Sequence, residues 1–123
     1  MAGTIALKLS CDAKNGSFAD KFAPQLITIV QTTQGGHRPT VIVAQAAESD
    51  MPFGSVVAPA RICLINLDPT NYVTWGPKDA GVMVAMGRLV YNEPTTIMLS
   101  PGAILRWIAH TADCKVMAQI LET

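Results

Sequence analysis

The sequence predicts an all-β fold: an antiparallel β-sandwich of roughly seven to nine short strands, jelly-roll or immunoglobulin-like in layout, with minimal helix. Three observations predict it. Apolar residues recur in short runs with period two, the repeat of a half-buried strand. Turn-forming residues divide those runs at intervals of roughly 8–12 residues. Finally, 8 Pro and 9 Gly leave no long window for a helix.

Taken in order, Ile5, Leu7 and Leu9 alternate with Ala6 and Lys8 and read as a first strand. Asn15-Gly16 is a hairpin-turn dipeptide, because both residues tolerate positive φ. Ser17 to Phe22 is the best helical candidate, a turn or so in length. Leu26 to Val30 forms an apolar run after Pro24, and Val41 to Val43 forms the next. Between them, Gln31 to Pro39 is the most polar loop. Together with Ala47 to Met51 it is expected to be mobile or to meet a partner. Met51-Pro52-Phe53-Gly54 then breaks the chain ahead of the strand Ile62 to Leu67.

Asp68-Pro69-Thr70-Asn71 has the chemistry of a type I turn. The Asp accepts backbone N–H bonds and Pro at the second position has its φ preset. The runs on either side, ending at Trp75, are expected to pair as a hairpin that Gly76-Pro77 closes. Val82 to Val84 and Leu89 to Tyr91 are two strands, or one broken at Gly87. Asn92-Glu93-Pro94 and Ser100-Pro101-Gly102 bracket Ile97 to Leu99. Ile104 to Ile108 and Val116 to Leu121 close the chain, joined by a polar hairpin turn at His110-Thr111-Ala112-Asp113.

At 123 residues the chain fits one domain, 1–123, with residues 1–10 read as an arm or an edge strand. Half the residues are hydrophobic and only 15% are charged, against about 25% in an ordinary soluble domain. With a net charge of zero, such a surface favours association, so a homo-oligomer or larger assembly is expected. The nine basic residues are spread singly, which argues against nucleic acid as a partner. No apolar run approaches the roughly 18 residues that would span a bilayer. The N-terminus also lacks a charged, then apolar, leader, so neither a membrane partner nor secretion is expected.

Candidates for chemistry are thin. Cys11, Cys63 and Cys114 are odd in number and far apart, so they read as small hydrophobes rather than a disulfide or metal set. His110 stands three residues before Asp113 with Cys114 adjacent, but a catalytic trio needs a cleft and an oxyanion hole that nothing announces. Glu48 with Asp50, and Asp68 with Asn71, offer too few carboxylates for a calcium loop. His37 has no second His one turn away for zinc. Gln34-Gly35-Gly36-His37-Arg38 is glycine-rich and cationic, but no helix follows to aim its N-terminus at a phosphate. Asn15-Gly16-Ser17 matches a glycosylation triplet but reads better as a turn. No catalytic residue, cofactor or metal is therefore expected, and the chain reads as a structural or binding module rather than an enzyme.

Among the aromatics, Trp107 alternates with Arg106 and Ile108 and is assigned to the core or its rim. Tyr72 and Trp75 are an odd number of positions apart, so they point to opposite faces of a regular strand, and one is expected at the surface as a contact anchor. Tyr72, Trp75, Ile5 and Leu7 are the expected partner-contact residues.

Asn66-Leu67-Asp68-Pro69-Thr70-Asn71-Tyr72-Val73, then Gly76-Pro77, then Leu99-Ser100-Pro101-Gly102-Ala103, resembles small β-sandwich virion proteins of tailed bacteriophages. In these an N-L-D-x-T-N-[YF]-V…G hairpin precedes an L-x-P-G turn and a closing strand. The similarity spans Ile62 to Thr123. It implies a non-enzymatic virion component, made in the host cytoplasm. Such a component is a capsid decoration (cement) protein, or alternatively a tail, baseplate or head–tail adaptor protein, with the major capsid protein or tail proteins as partners. From a different class, a carbohydrate- or ligand-binding β-module is the alternative. Such virion proteins work through whole surfaces, so no functional residue is carried over.

Overall fold

A computed structural model of the chain describes residues 3–8, 10–15, 17–22, 27–31, 36–53, 56, 59–100 and 102–122. Among the described residues there are thirteen strands and no helix. The strands are β1 (Gly3–Leu7), β2 (Cys11–Asn15), β3 (Phe18–Phe22), β4 (Ile27–Gln31), β5 (Gly36–Ala44), β6 (Ser49–Asp50) and β7 (Arg61–Asn66). They continue with β8 (Tyr72–Asp79), β9 (Val82–Met83), β10 (Gly87–Leu89), β11 (Pro94–Met98), β12 (Leu105–His110) and β13 (Cys114–Leu121). They group into two compact units, Met1–Gln34 and Gly35–Thr123.

The first unit, the ribbon, holds two two-stranded antiparallel sheets. β1 pairs antiparallel with β4, Gly3 opposite Gln31 through Leu7 opposite Ile27. β2 pairs with β3, Cys11 opposite Phe22 through Asn15 opposite Phe18. The Asn15-Gly16 signal falls between the paired strands β2 and β3, where Asn15 stands opposite Phe18. The helical candidate Ser17 to Phe22 is instead mostly strand β3. A six-residue window is too short to nucleate a helix, whereas β2 offers a ready ladder. In β1, Ile5 and Leu7 are half-buried while Thr4, Ala6 and Lys8 are exposed, the alternation the sequence predicts.

The second unit is the sandwich. One sheet has the order β11-β7-β13-β5 and the other β10-β8-β12-β6, with β9 also on β8. Alternation decides which side is inward. Cys114, Val116, Ala118 and Ile120 of β13 are buried, while Lys115 and Met117 between them are exposed. Leu105, Trp107 and Ala109 do the same for β12. Ile62, Leu64 and Val116 from one sheet and Val73, Leu89 and Trp107 from the other join a single core. Each fully buried aliphatic side chain there contributes roughly 1.5–3 kcal/mol.

Several local expectations are corrected by this arrangement. The strands flanking Asp68-Pro69-Thr70-Asn71 do not pair: β7 and β8 lie in opposite sheets, so the turn is an arch between layers. The same holds for the turn at 110–113, which joins β12 to β13 across the core. Gly76-Pro77 does not end β8 but lies inside it, with Pro77 opposite Leu105. A Cβ on Gly76 would collide with the carbonyl oxygen of Val84, so glycine permits a close backbone approach there. Val82–Met83 and Gly87–Leu89 are two separate strands, both on β8.

The two polar segments expected to be mobile or to meet a partner both contribute residues to paired strands. Ser49–Asp50 pairs with β12, the Met51 N–H donates to Leu105 O at 2.8 Å, and Met51 is buried. Of the loop Gln31 to Pro39, Gln31 belongs to β4 and Gly36 to Pro39 belong to β5; residues 32–35 lie outside the described residues. The β5–β13 register shifts between Ala118 and Ile120, which places Pro39 at an irregularity where the ladder does not need its missing N–H.

Candidate interaction surfaces

The two arches meet at one end of the sandwich around Asn66. Asn66 is fully buried, and its Nδ2 donates to Asn71 O at 2.9 Å and to Leu89 O at 3.1 Å. Its Oδ1 accepts from the Asp68 N–H at 2.9 Å. Asp68 Oδ1 accepts from the N–H groups of Thr70 (2.8 Å) and Asn71 (2.9 Å), so the side chain, as the sequence predicts, caps the turn. These bonds, from Asn71 first and Thr70 second, hold the Asp68 carboxyl below its usual range. The second arch is tied in by the Thr111 N–H donating to Asn71 Oδ1 at 3.0 Å. Asn66 was not singled out as a functional position, yet it joins β7, the first arch and β10.

The outer face of the β10-β8-β12-β6 sheet mixes polar side chains with Ile108, and the exposed Met86 lies beside it. Tyr72 stacks on His110, ring centroids 4.7 Å apart, and Arg88 lies 4.0 Å over the Tyr72 ring centroid. Arg88 and His110 come from the strands on either side of β8, so the Tyr72 ring stands between a cation and an imidazole. His110 Nε2 and Thr74 Oγ1 are 3.2 Å apart. Farther along, Arg106 lies 3.3 Å from both the Glu48 and Asp50 carboxylates, and Lys78 lies 3.5 Å from Asp50. Arg106 also donates to Gly81 O at 2.6 Å. A depression of about 390 Å³ beside the stack is lined by Thr74, Ala85, Met86, Gly87 and Arg88.

The chemistry candidates are engaged in structure. Glu48 and Asp50 hold Arg106 and Lys78. Asp113 Oδ1 accepts from the Ala46 N–H at 2.8 Å. Cys114 is buried with its Sγ donating to Ala112 O at 3.6 Å, and burial first, then the nearby Asp68 charge, pushes its thiol pKa up. His110, Asp113 and Cys114 therefore each face a different partner. Among the described residues no three His, Cys, Asp or Glu gather as a metal site. His37 lies on β5.

Of the expected contact residues, Tyr72 is half-buried in its stack, and Trp75 packs against the core on the opposite face of β8. A Cβ on Gly87 would meet the Trp75 indole, which is why that strand begins with glycine. Trp107 is fully buried. Ile5 and Leu7 lie on the ribbon.

The outer face of the other sheet differs. Register aligns Val41 with Met117, Met117 with Ile65 and Ile65 with Pro94, one apolar row across all four strands. Val41 is 53% exposed and Val43, on the same face, 49%. Met117 and Pro94 are exposed as well, and Ile65 is half-buried. Sequence reasoning missed this row because its members are scattered from 41 to 117.

No family model matches the chain, and neither a curated protein nor a solved structure does. No helix among the described residues is long and apolar enough to cross a membrane.

Proposed function

We propose that this chain is a non-enzymatic structural component of a phage particle, a capsid decoration protein that binds the assembled shell and stabilises it through subunit contacts. The observation that carries the reading is the open apolar row Val41–Met117–Ile65–Pro94 on a sandwich whose sequence is only 15% charged. An exposed apolar band of this kind is a liability for a free monomer and an asset for a subunit held between neighbours. The resemblance of the segment from Ile62 to Thr123 to phage virion proteins points the same way. The partners in this reading are the major capsid protein and further copies of the chain, in a virion assembled in the host cytoplasm.

The carbohydrate-module alternative is less well supported. Sugar stacking needs an open aromatic face. Tyr72 is stacked on His110 with Arg88 over its ring, Trp107 is buried, and Trp75 packs against the core, which leaves Tyr91 as the exposed aromatic among the described residues. The test is add-back. Particles assembled without the chain should break at lower temperature than complete ones, and purified chain added to them should restore the difference. Particles of unchanged heat resistance would refute decoration. A particle that instead lacks a joined tail would assign the chain to the tail or head–tail junction.

A further inference from the structure

The edge of a β-sheet carries a row of backbone N–H and C=O groups that must bond to water or to another strand. Three of the sandwich's sheet edges are short or blunted. β10 is three residues long, β6 is two, and β11 opens on Pro94, which has no N–H. The fourth edge, β5, is nine residues long, and among the described residues it pairs with β13 alone. Its run from Thr40 to Ala44 is uncharged and stays in regular register with β13. The neighbouring ladder shows which way its backbone groups point. Lys115 O accepts from the Leu67 N–H at 2.9 Å, so Lys115 turns its groups toward β7 and away from β5. Val43 stands opposite Lys115, which makes theirs a non-hydrogen-bonded pair and turns the Val43 N–H and C=O to the free edge. Alternation turns those of Val41 the same way, while Ile42 bonds to β13.

We propose that this edge pairs with the β5 edge of a second copy, antiparallel about a two-fold axis at Ile42, so that two sheets become one. The axis sets Val41 opposite Val43 of the second copy, and Val43 opposite its Val41. Each outward N–H of one copy then donates to an outward carbonyl of the other. The occupant is a second copy because the edge is complementary to itself. Residues 40–44 hold no charge, so the symmetric pairing sets no like charges opposite one another. Lys115 is one strand in from the edge, and on the far side of Val43 the pairing places a valine, not a second cation. The end of the ladder matches as well. The next pair sets Gln45 opposite Pro39 of the second copy. Gln45 O already accepts from the Ala109 N–H at 2.8 Å, and Pro39 has no N–H to offer it. The contact is isologous and closes as a dimer. The inference rests on the reading of the chain as an assembly subunit and names the edge it uses.

Charge-swap complementation tests it. The full chain, at micromolar concentration by light scattering, should be dimeric. Val41→Glu with Val43→Glu should be monomeric, and so should Val41→Lys with Val43→Lys, because like charges then face each other across the axis. Mixed in equal amounts, the two variants should form a one-to-one heterodimer, since every Glu then opposes a Lys. A monomeric full chain, whose β5 edge would be left to a strand of another protein, would overturn the proposal. A variant that still assembles alone, or a mixture without heterodimers, would do the same. Hydrogen exchange adds a measurement that needs no substitution. As the native chain is diluted until it dissociates, the Val41 and Val43 amides should exchange about tenfold faster or more, while the Ile42 amide keeps its protection. Val41 and Val43 amides whose exchange ignores dilution would refute the pairing. A chain that dimerises through this edge but is absent from particles sinks only the proposed function. One found in particles that fails these tests sinks only this inference.

Discussion

Asn66→Ala is expected to be among the costliest single substitutions outside the apolar core. The side chain makes three hydrogen bonds, at 2.9, 3.1 and 2.9 Å, from a fully buried position. At about 1 kcal/mol net for each bond, with Leu89 O left short of a partner, the loss comes to roughly 3 kcal/mol. That is a large share of the roughly 5–15 kcal/mol that holds a domain together. It corresponds to a fall in Tm of roughly 10 °C or more for a unit of this size. Urea unfolding followed by tryptophan fluorescence is the right assay, because both tryptophans, Trp75 and Trp107, lie in the sandwich and report on that unit alone. Asn66→Asp sharpens the test. It keeps the volume but turns oxygen lone pairs toward Asn71 O and Leu89 O, so its cost should be at least as great at neutral pH. The cost should shrink as acid protonates the new carboxyl and restores a donor. A loss below about 1 kcal/mol for Asn66→Ala, on the same scale of one bond, would refute the view that Asn66 fastens the arch.

Other outcomes follow from single positions. Gly76→Ala puts a methyl against Val84 O and should cost about 2 kcal/mol or more by urea unfolding, the usual range for overpacking against backbone. Ala80→Gly should stabilise the sandwich by about 0.5–1 kcal/mol, since Ala80 holds φ at 50° in the β8–β9 turn, a conformation a Cβ disfavours. Asp68 has its folded pKa depressed by the N–H groups of Asn71 and Thr70, so its contribution is full above the ordinary carboxyl value of about 3.9 and fades as pH falls through the folded value. The stability difference between the native chain and Asp68→Asn should therefore be flat above roughly pH 5 and narrow in acid; a difference that widens on acidification would contradict the cap.

Much of the fold was legible because it is written locally. The alternation in Cys114–Leu121 and Leu105–His110 marks both strands and their inward faces. Asn15-Gly16 marks a hairpin whose second leg, Phe18–Phe22, resembles a helix only when its partner is ignored. Sheet membership was not legible. An Asp-Pro-Thr-Asn turn serves a hairpin or an arch equally well, and only the burial of Asn66 beneath it distinguishes them. The surfaces were harder still. Tyr72 stood out as an aromatic, but its neighbours Arg88 and His110 reach it from two other strands. The apolar row exists only through the register of β5, β13, β7 and β11, so no window of sequence contains it.

Copy number in gradient-purified particles, counted by quantitative mass spectrometry against the major shell subunit, puts the central claim to its most direct trial. A shell-stabilising role requires the chain in a fixed, many-fold ratio to that subunit. Purified particles free of the chain would contradict it.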